Sequence, residues 1–98
     1  MAKAKPFDAA DYLDSPEMVA AYLNEAFKSE DASAIAVAIG TVARSRGMGA
    51  VAEKAGLSRE NLYRPLGGEA KPEFGTVIKV LHALGIDLVA QPQGSKAA

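Results

Sequence analysis

Apolar residues recur along this chain at helical spacing, and each such stretch begins or ends on a residue suited to a helix end. Val19, Tyr22, Leu23, Ala26 and Phe27 follow the i, i+3, i+4, i+7, i+8 pattern of one buried face. They predict a helix with Asp14 or Ser15 as its cap, Pro16 in its first turn and an end near Ser29. Asp14 with Glu17 also fits a relaxed capping box. Ile35, Ala38, Ile39 and Val42 form the stripe of a second helix, capped by Asp31 or Ser29. Gly40 would allow another helix to come close, Arg44 and Arg46 complement the dipole in the last turn, and Gly47 stops the helix. A third helix is expected over residues 49–55 and a fourth from Ser58. A fifth is expected from Pro72 through Leu84, with Phe74, Val77, Ile78, Leu81 and Leu84 facing inward and Gly85 ending it.

The remaining segments lack this period. Residues 86–91 alternate only in part and read as one short strand. A lone strand leaves backbone groups unsatisfied, so it must pair with the N-terminal arm, with its own copy or with a partner protein. Residues 7–14 read either as a helical turn or as an extended arm anchored by Phe7, Tyr12 and Leu13. The expected organisation is a disordered start over 1–6, one domain over 7–91 and a flexible tail over 92–98.

Residues 50–64, Ala-Val-Ala-Glu-Lys-Ala-Gly-Leu-Ser-Arg-Glu-Asn-Leu-Tyr-Arg, are the most informative stretch. Ala52 and Ala55 are small enough for two helices to touch. Gly56 accepts the positive φ of a helix end, and Val51, Leu57 and Leu62 can clamp the pair. This pattern predicts a helix-turn-helix over residues 49–66. Such a unit places the first turn of its second helix in the DNA major groove. Arg59 can grip guanine O6 and N7 or a phosphate, Asn61 the edge of adenine, and Glu60 the amino group of cytosine. Ser58 caps the helix and can reach a phosphate, while Tyr63, Arg64 and Lys71 suit phosphate or sugar contacts. Pro65 removes the hydrogen bond to the Asn61 carbonyl and is expected to push Arg64 off helical angles, shortening or kinking the helix.

Charge sharpens this reading. The chain totals −1, which is unusual for a nucleic-acid binder. Residues 1–43 hold three lysines against seven acidic residues, a net −4, whereas residues 44–98 hold eight basic against five acidic, a net +3. A phosphate-facing surface needs local positive charge only. The acidic first half is either a solvated face or a surface for a basic partner. Among the 98 residues apolar types make up 49%, yet aromatics only 6%, which suits a compact all-α domain better than a β-sandwich. The chain has no cysteine, so it has no disulfide or thiolate metal site, in keeping with a reducing cytoplasm. No apolar run is long enough for a membrane span, and the N-terminus lacks the apolar segment of a signal peptide.

Nothing in the sequence assembles catalytic chemistry. His82, the single histidine, has no nucleophile, metal or orienting carboxylate at a recognisable spacing. Gly47-x-Gly49 follows no strand and precedes no Gly-Lys-Ser/Thr, so it is not a phosphate loop. The expectation is a protein that is not an enzyme and uses neither cofactor nor metal.

The chain resembles the HigA-like addiction-module antidotes, antitoxins with a Xre-type, lambda repressor-like helix-turn-helix. The resemblance runs from about Phe7 to Gln91. Residues 9–13 (Ala-Ala-Asp-Tyr-Leu), 20–26 (Ala-Ala-Tyr-Leu-Asn-Glu-Ala), 55–64 and 74–85 carry it. It implies a type II toxin–antitoxin module in which the antitoxin neutralises a small basic toxin of the RelE or HigB type and represses its own promoter. The DNA-contacting positions it implies are Ser58, Arg59, Glu60, Asn61, Tyr63 and Arg64. Pro65 departs from the helix-compatible residues expected there. The resulting expectation is an all-α, five-helix domain with room for one short C-terminal strand. It would act as a cytoplasmic, nucleoid-associated homodimer on duplex DNA. A stand-alone prophage-type repressor without a toxin, and an interaction module that has lost DNA binding, are the alternatives.

Overall fold

Two helix ends organise the first half of the molecule. In the computed structural model, which describes residues 13–68 and 71–94, Ser15 caps α1 (Pro16–Lys28) and its hydroxyl accepts from the Met18 N–H at 3.1 Å. Of the two candidate caps, Ser15 rather than Asp14 takes the role. Asp31 caps α2 (Ala32–Arg46), its carboxylate accepting from the Ser33 and Ala34 N–H groups at 2.9 and 3.3 Å. Between them Glu30 takes a left-handed φ of 57°, and the Ser29 hydroxyl closes the end of α1 on the Ala26 carbonyl. Then follow α3 (Met48–Ala55), α4 (Arg59–Tyr63) and α5 (Phe74–Ala83). The regular elements among the described residues are all helices, with no strand. The expectations for residues 1–6, 7–12 and 95–98 lie outside the described residues.

Packing runs through the centre of the chain. Helix α2 lies between α1 and α3, and α3 in turn contacts α4 and α5. Leu23, Ile39, Val42, Leu62, Val80 and Leu81 are completely enclosed, and Leu13 joins the same cluster ahead of α1. Burial of each such side chain is worth about 1.5–3 kcal/mol, so these few residues carry much of the stability. The small residues of α2, Ala36, Ala38 and Ala43, are buried too and let the neighbouring elements approach. The only buried polar residue described, Thr41, gives its hydroxyl proton to the Val37 carbonyl at 3.0 Å. Among the described residues no buried side-chain polar atom lacks a partner.

Three expectations need correction. Helix α5 opens at Phe74 with Glu73 as cap, leaving Pro72 outside the helix. Its inward face is Val77, Val80, Leu81 and Leu84; Phe74 and Ile78 are 69% and 43% exposed. Residues 86–91 form no strand. Apart from the Ile86 N–H, which bonds the Leu81 carbonyl at 2.9 Å, no backbone of this segment pairs with another described residue. A strand needs a neighbouring edge, and the described residues supply none.

Candidate nucleic-acid interface

Helix α3 ends and α4 begins within three residues. Gly56 takes φ 74°, ψ 30°, a left-handed conformation that a side chain would disfavour. The Leu57 N–H reaches back to the Ala52 carbonyl at 2.9 Å and the Gly56 N–H to the Glu53 carbonyl at 3.1 Å, a Schellman ending. Ser58 then sits in extended backbone, and its hydroxyl accepts from the Asn61 N–H at 3.1 Å. Leu62 is fully enclosed, Val51 is 3% exposed and Leu57 is partly buried. The three residues expected to clamp the pair thus all face the interior.

With Leu62 inward, the other side chains of α4 face solvent. Ser58, Arg59, Glu60, Asn61, Tyr63, Arg64 and Lys71 are all exposed. Two pairings run along this short helix at i, i+4. An Arg59 guanidinium nitrogen donates to the Tyr63 hydroxyl at 3.3 Å, with its Cζ 5.7 Å from the ring centre. An Arg64 guanidinium nitrogen donates to Glu60 Oε2 at 3.0 Å, both side chains about three-quarters exposed. Such an exposed pair contributes only a few tenths of a kcal/mol, so it orients these groups without locking them. The i, i+4 spacing that makes these pairs is present in the sequence.

Asn61, Arg64 and Lys71 line one shallow depression of about 320 Å³, together with Leu57, Pro65, Glu73 and Thr76. Lys71 thus lines the same depression as Asn61 and Arg64. Arg59 does not line this depression.

Pro65 ends the helix early but does not displace Arg64. Arg64 keeps φ −61°, ψ −51°, and its N–H bonds the Glu60 carbonyl at 3.1 Å. The expectation of non-helical angles there was wrong. The residue before a proline is disfavoured in the α region rather than barred from it, and here a complete turn of helix holds it. The chain then turns through Leu66, 6% exposed, which rests on α2. A Cβ on Gly40 would lie 2.9 Å from the Leu66 carbonyl oxygen, so the close approach that Gly40 allows is made by the segment after α4, not by another helix.

His82 is exposed in the last turn of α5 and stands apart from this surface. Among the described residues there is no cluster of three or more potential metal ligands, and no helix is long and apolar enough to cross a membrane.

A family model described as a probable addiction module antidote protein matches residues 3–92. An uncharacterised protein of Haemophilus influenzae is 42% identical over 87 residues, covering 89% of this chain and 90% of that protein. No solved structure matches the chain.

Proposed function

The chain belongs to the probable addiction module antidote family, and we propose that it is the DNA-binding antitoxin of a type II toxin–antitoxin module. In this reading it neutralises a small basic toxin of the RelE or HigB type and represses its own promoter as a homodimer in the cytoplasm. The observation that carries the DNA-binding half is the α3–turn–α4 unit. Its second helix is pinned by Leu62 and capped by Ser58, and it offers Arg59, Glu60 and Asn61 to solvent from its first turn. That is the part of a helix-turn-helix that reads base edges.

The division of labour follows from what each side chain can do. Arg59 and Asn61 have the planar, bidentate donor–acceptor geometry that distinguishes guanine and adenine, while Glu60 favours cytosine. Arg64, Tyr63 and Lys71 lie further along and contact phosphate, which fixes register without reading sequence. Ser58 adds a phosphate contact at the helix start. On DNA, Arg59 leaves the Tyr63 hydroxyl and Arg64 leaves Glu60, and both partings cost little because the pairs are exposed. A homodimer doubles the contacts by reading two half-sites, which a single small module needs for useful affinity. The acidic first half, net −4 over residues 1–43, is the surface offered to the basic toxin.

Two experiments test the two halves separately. Arg59→Ala and Asn61→Ala should each weaken binding to the promoter by about 5- to 100-fold and relax preference at one base pair per half-site. Co-expression with the product of an adjacent reading frame that encodes a small basic protein should relieve that protein's growth arrest, and Arg59→Ala should leave this relief intact. Unchanged promoter affinity in both variants would remove α4 from the DNA interface. Growth arrest that persists would remove the antitoxin role.

A further inference from the structure

The acidic excess of the first half is localised. Residues 1–12 hold two lysines and two aspartates, so the net −4 resides in residues 13–43, where Lys28 stands against Asp14, Glu17, Glu25, Glu30 and Asp31. These residues build α1, most of α2 and the turn between them, and all five carboxylates are exposed. Helix α1 packs on α2, and a groove of about 600 Å³ runs between them. Tyr22, Ala26, Ala34 and Val37 give it an apolar lining, and Glu25 and Asp31 line it as well. Val37 is 46% exposed, although Ala36 and Ala38 on either side of it are buried. An apolar floor, deepened by two alanines and edged by one sign of charge, has the layout of a protein interface with a hydrophobic centre and a polar rim.

We infer that this groove is the seat of the basic toxin, an inference that rests on the antitoxin reading proposed above. The occupant is a helix or loop of that protein. It inserts one apolar side chain over Ala34 and Val37 and sets Lys or Arg against Glu25 and Asp31. Two copies of this chain pressed together here would oppose like charges, which selects a basic occupant over a second copy. Asp31 accepts both of its capping bonds on Oδ1, so Oδ2 is the oxygen that meets the cation. Glu25 holds Lys28 only through an exposed contact at 3.3 Å, which a guanidinium from the partner displaces at little cost. The groove ends at Gly68, where Val37 abuts the turn after α4: its Cγ2 would lie 2.8 Å from a Cβ on that glycine. Arg59, Glu60 and Asn61 do not line the groove, so the toxin-bound chain keeps its reading residues for DNA.

The probe is the small basic protein encoded beside this chain, purified and titrated into the full chain by calorimetry. Ala34→Arg fills the groove and reverses its charge, and it should weaken binding about 30-fold, whereas Ala34→Ser should bind as the unmodified chain does. Glu25→Lys should weaken binding about five-fold at low salt and less as salt rises. Both positions are exposed, so urea midpoints should hold. Arg59→Ala should leave binding of the probe unchanged. In isotope-labelled unmodified chain, the amide signals of Tyr22, Ala34 and Val37 should shift most on adding the probe, and those of Ala50 and His82, which line a separate groove, least. Full affinity in both Ala34→Arg and Glu25→Lys, or shifts greatest outside the groove, would overturn the inference and leave the antitoxin role standing. No binding of the probe to the unmodified chain would overturn both. Dissociation of a dimer by Ala34→Arg, with binding of the probe unchanged, would make the groove an interface between copies and would also overturn the inference.

Discussion

Gly40 and Gly75 both lie inside helices, and the structure predicts that replacing them with alanine has opposite effects. In a helix interior alanine is favoured over glycine by about 0.8–1 kcal/mol, with a smaller gain near an end. At Gly75, in the first turn of α5, a Cβ meets nothing within 4 Å, so Gly75→Ala should stabilise the protein by about 0.5 kcal/mol. At Gly40 the same Cβ would lie 2.9 Å from the Leu66 carbonyl oxygen and 3.3 Å from its Cβ. The first is a backbone atom and cannot swing aside, so Leu66 and the turn after α4 must move. Overpacking of this kind costs about 1–3 kcal/mol, which set against the helix-propensity gain leaves a net loss of up to about 2 kcal/mol. Urea unfolding of both variants measures this directly: the Gly40→Ala midpoint should fall and the Gly75→Ala midpoint rise, with the slope unchanged in each. Because Leu66 follows α4 by three residues, Gly40→Ala should also lower promoter affinity, whereas Gly75→Ala should not. If Gly40→Ala stabilised the protein by about 1 kcal/mol, the close contact between α2 and the segment after α4 would be refuted.

Three further outcomes follow from α4 itself. Ser58→Ala removes the acceptor for the Asn61 N–H and should cost about 1 kcal/mol in chemical denaturation, with faster amide exchange at Asn61. Leu62→Ala empties the fully enclosed site that holds a helix of only five residues; it should cost about 2–5 kcal/mol in the same assay and abolish promoter binding in whatever remains folded. Glu60→Gln removes the anion paired with Arg64, and it should change stability by no more than a few tenths of a kcal/mol. In an anisotropy assay the same change should strengthen binding to a scrambled duplex several-fold, by freeing one cation and removing one repulsive charge.

Helix ends marked by their own residues were legible in the sequence. Asp31, Gly47, Gly56, Ser58 and Gly85 act through local hydrogen bonds and backbone angles, which neighbours in sequence determine. The inward face of α5 was not. Phe74, Val77, Ile78, Val80, Leu81 and Leu84 span so wide an arc that the period does not select its centre, and contact with α3 and α2 turns Val80 inward and Phe74 outward. The expected strand at residues 86–91 shows the same limit, since a strand depends on a partner edge that its own residues do not specify. At the site, the exposed set on α4 followed directly from the burial of Leu62. The pairing of Glu60 with Arg64 and of Arg59 with Tyr63 was legible as i, i+4 spacing. The conformation of Arg64 was not legible, because the preference of a residue before proline is opposed here by a complete turn of helix.

Fluorescence-anisotropy titration of the full chain on a duplex from upstream of its own gene, against a scrambled duplex and across salt, tests the central claim most directly. The account predicts tighter binding to the promoter than to the scrambled duplex. With two to three phosphate-contacting cations from each protomer of a dimer, it also predicts a slope of log affinity against log salt of about −4 to −5. Equal affinity for both duplexes, or no binding to either, would contradict the proposal that α4 of the isolated chain reads DNA sequence.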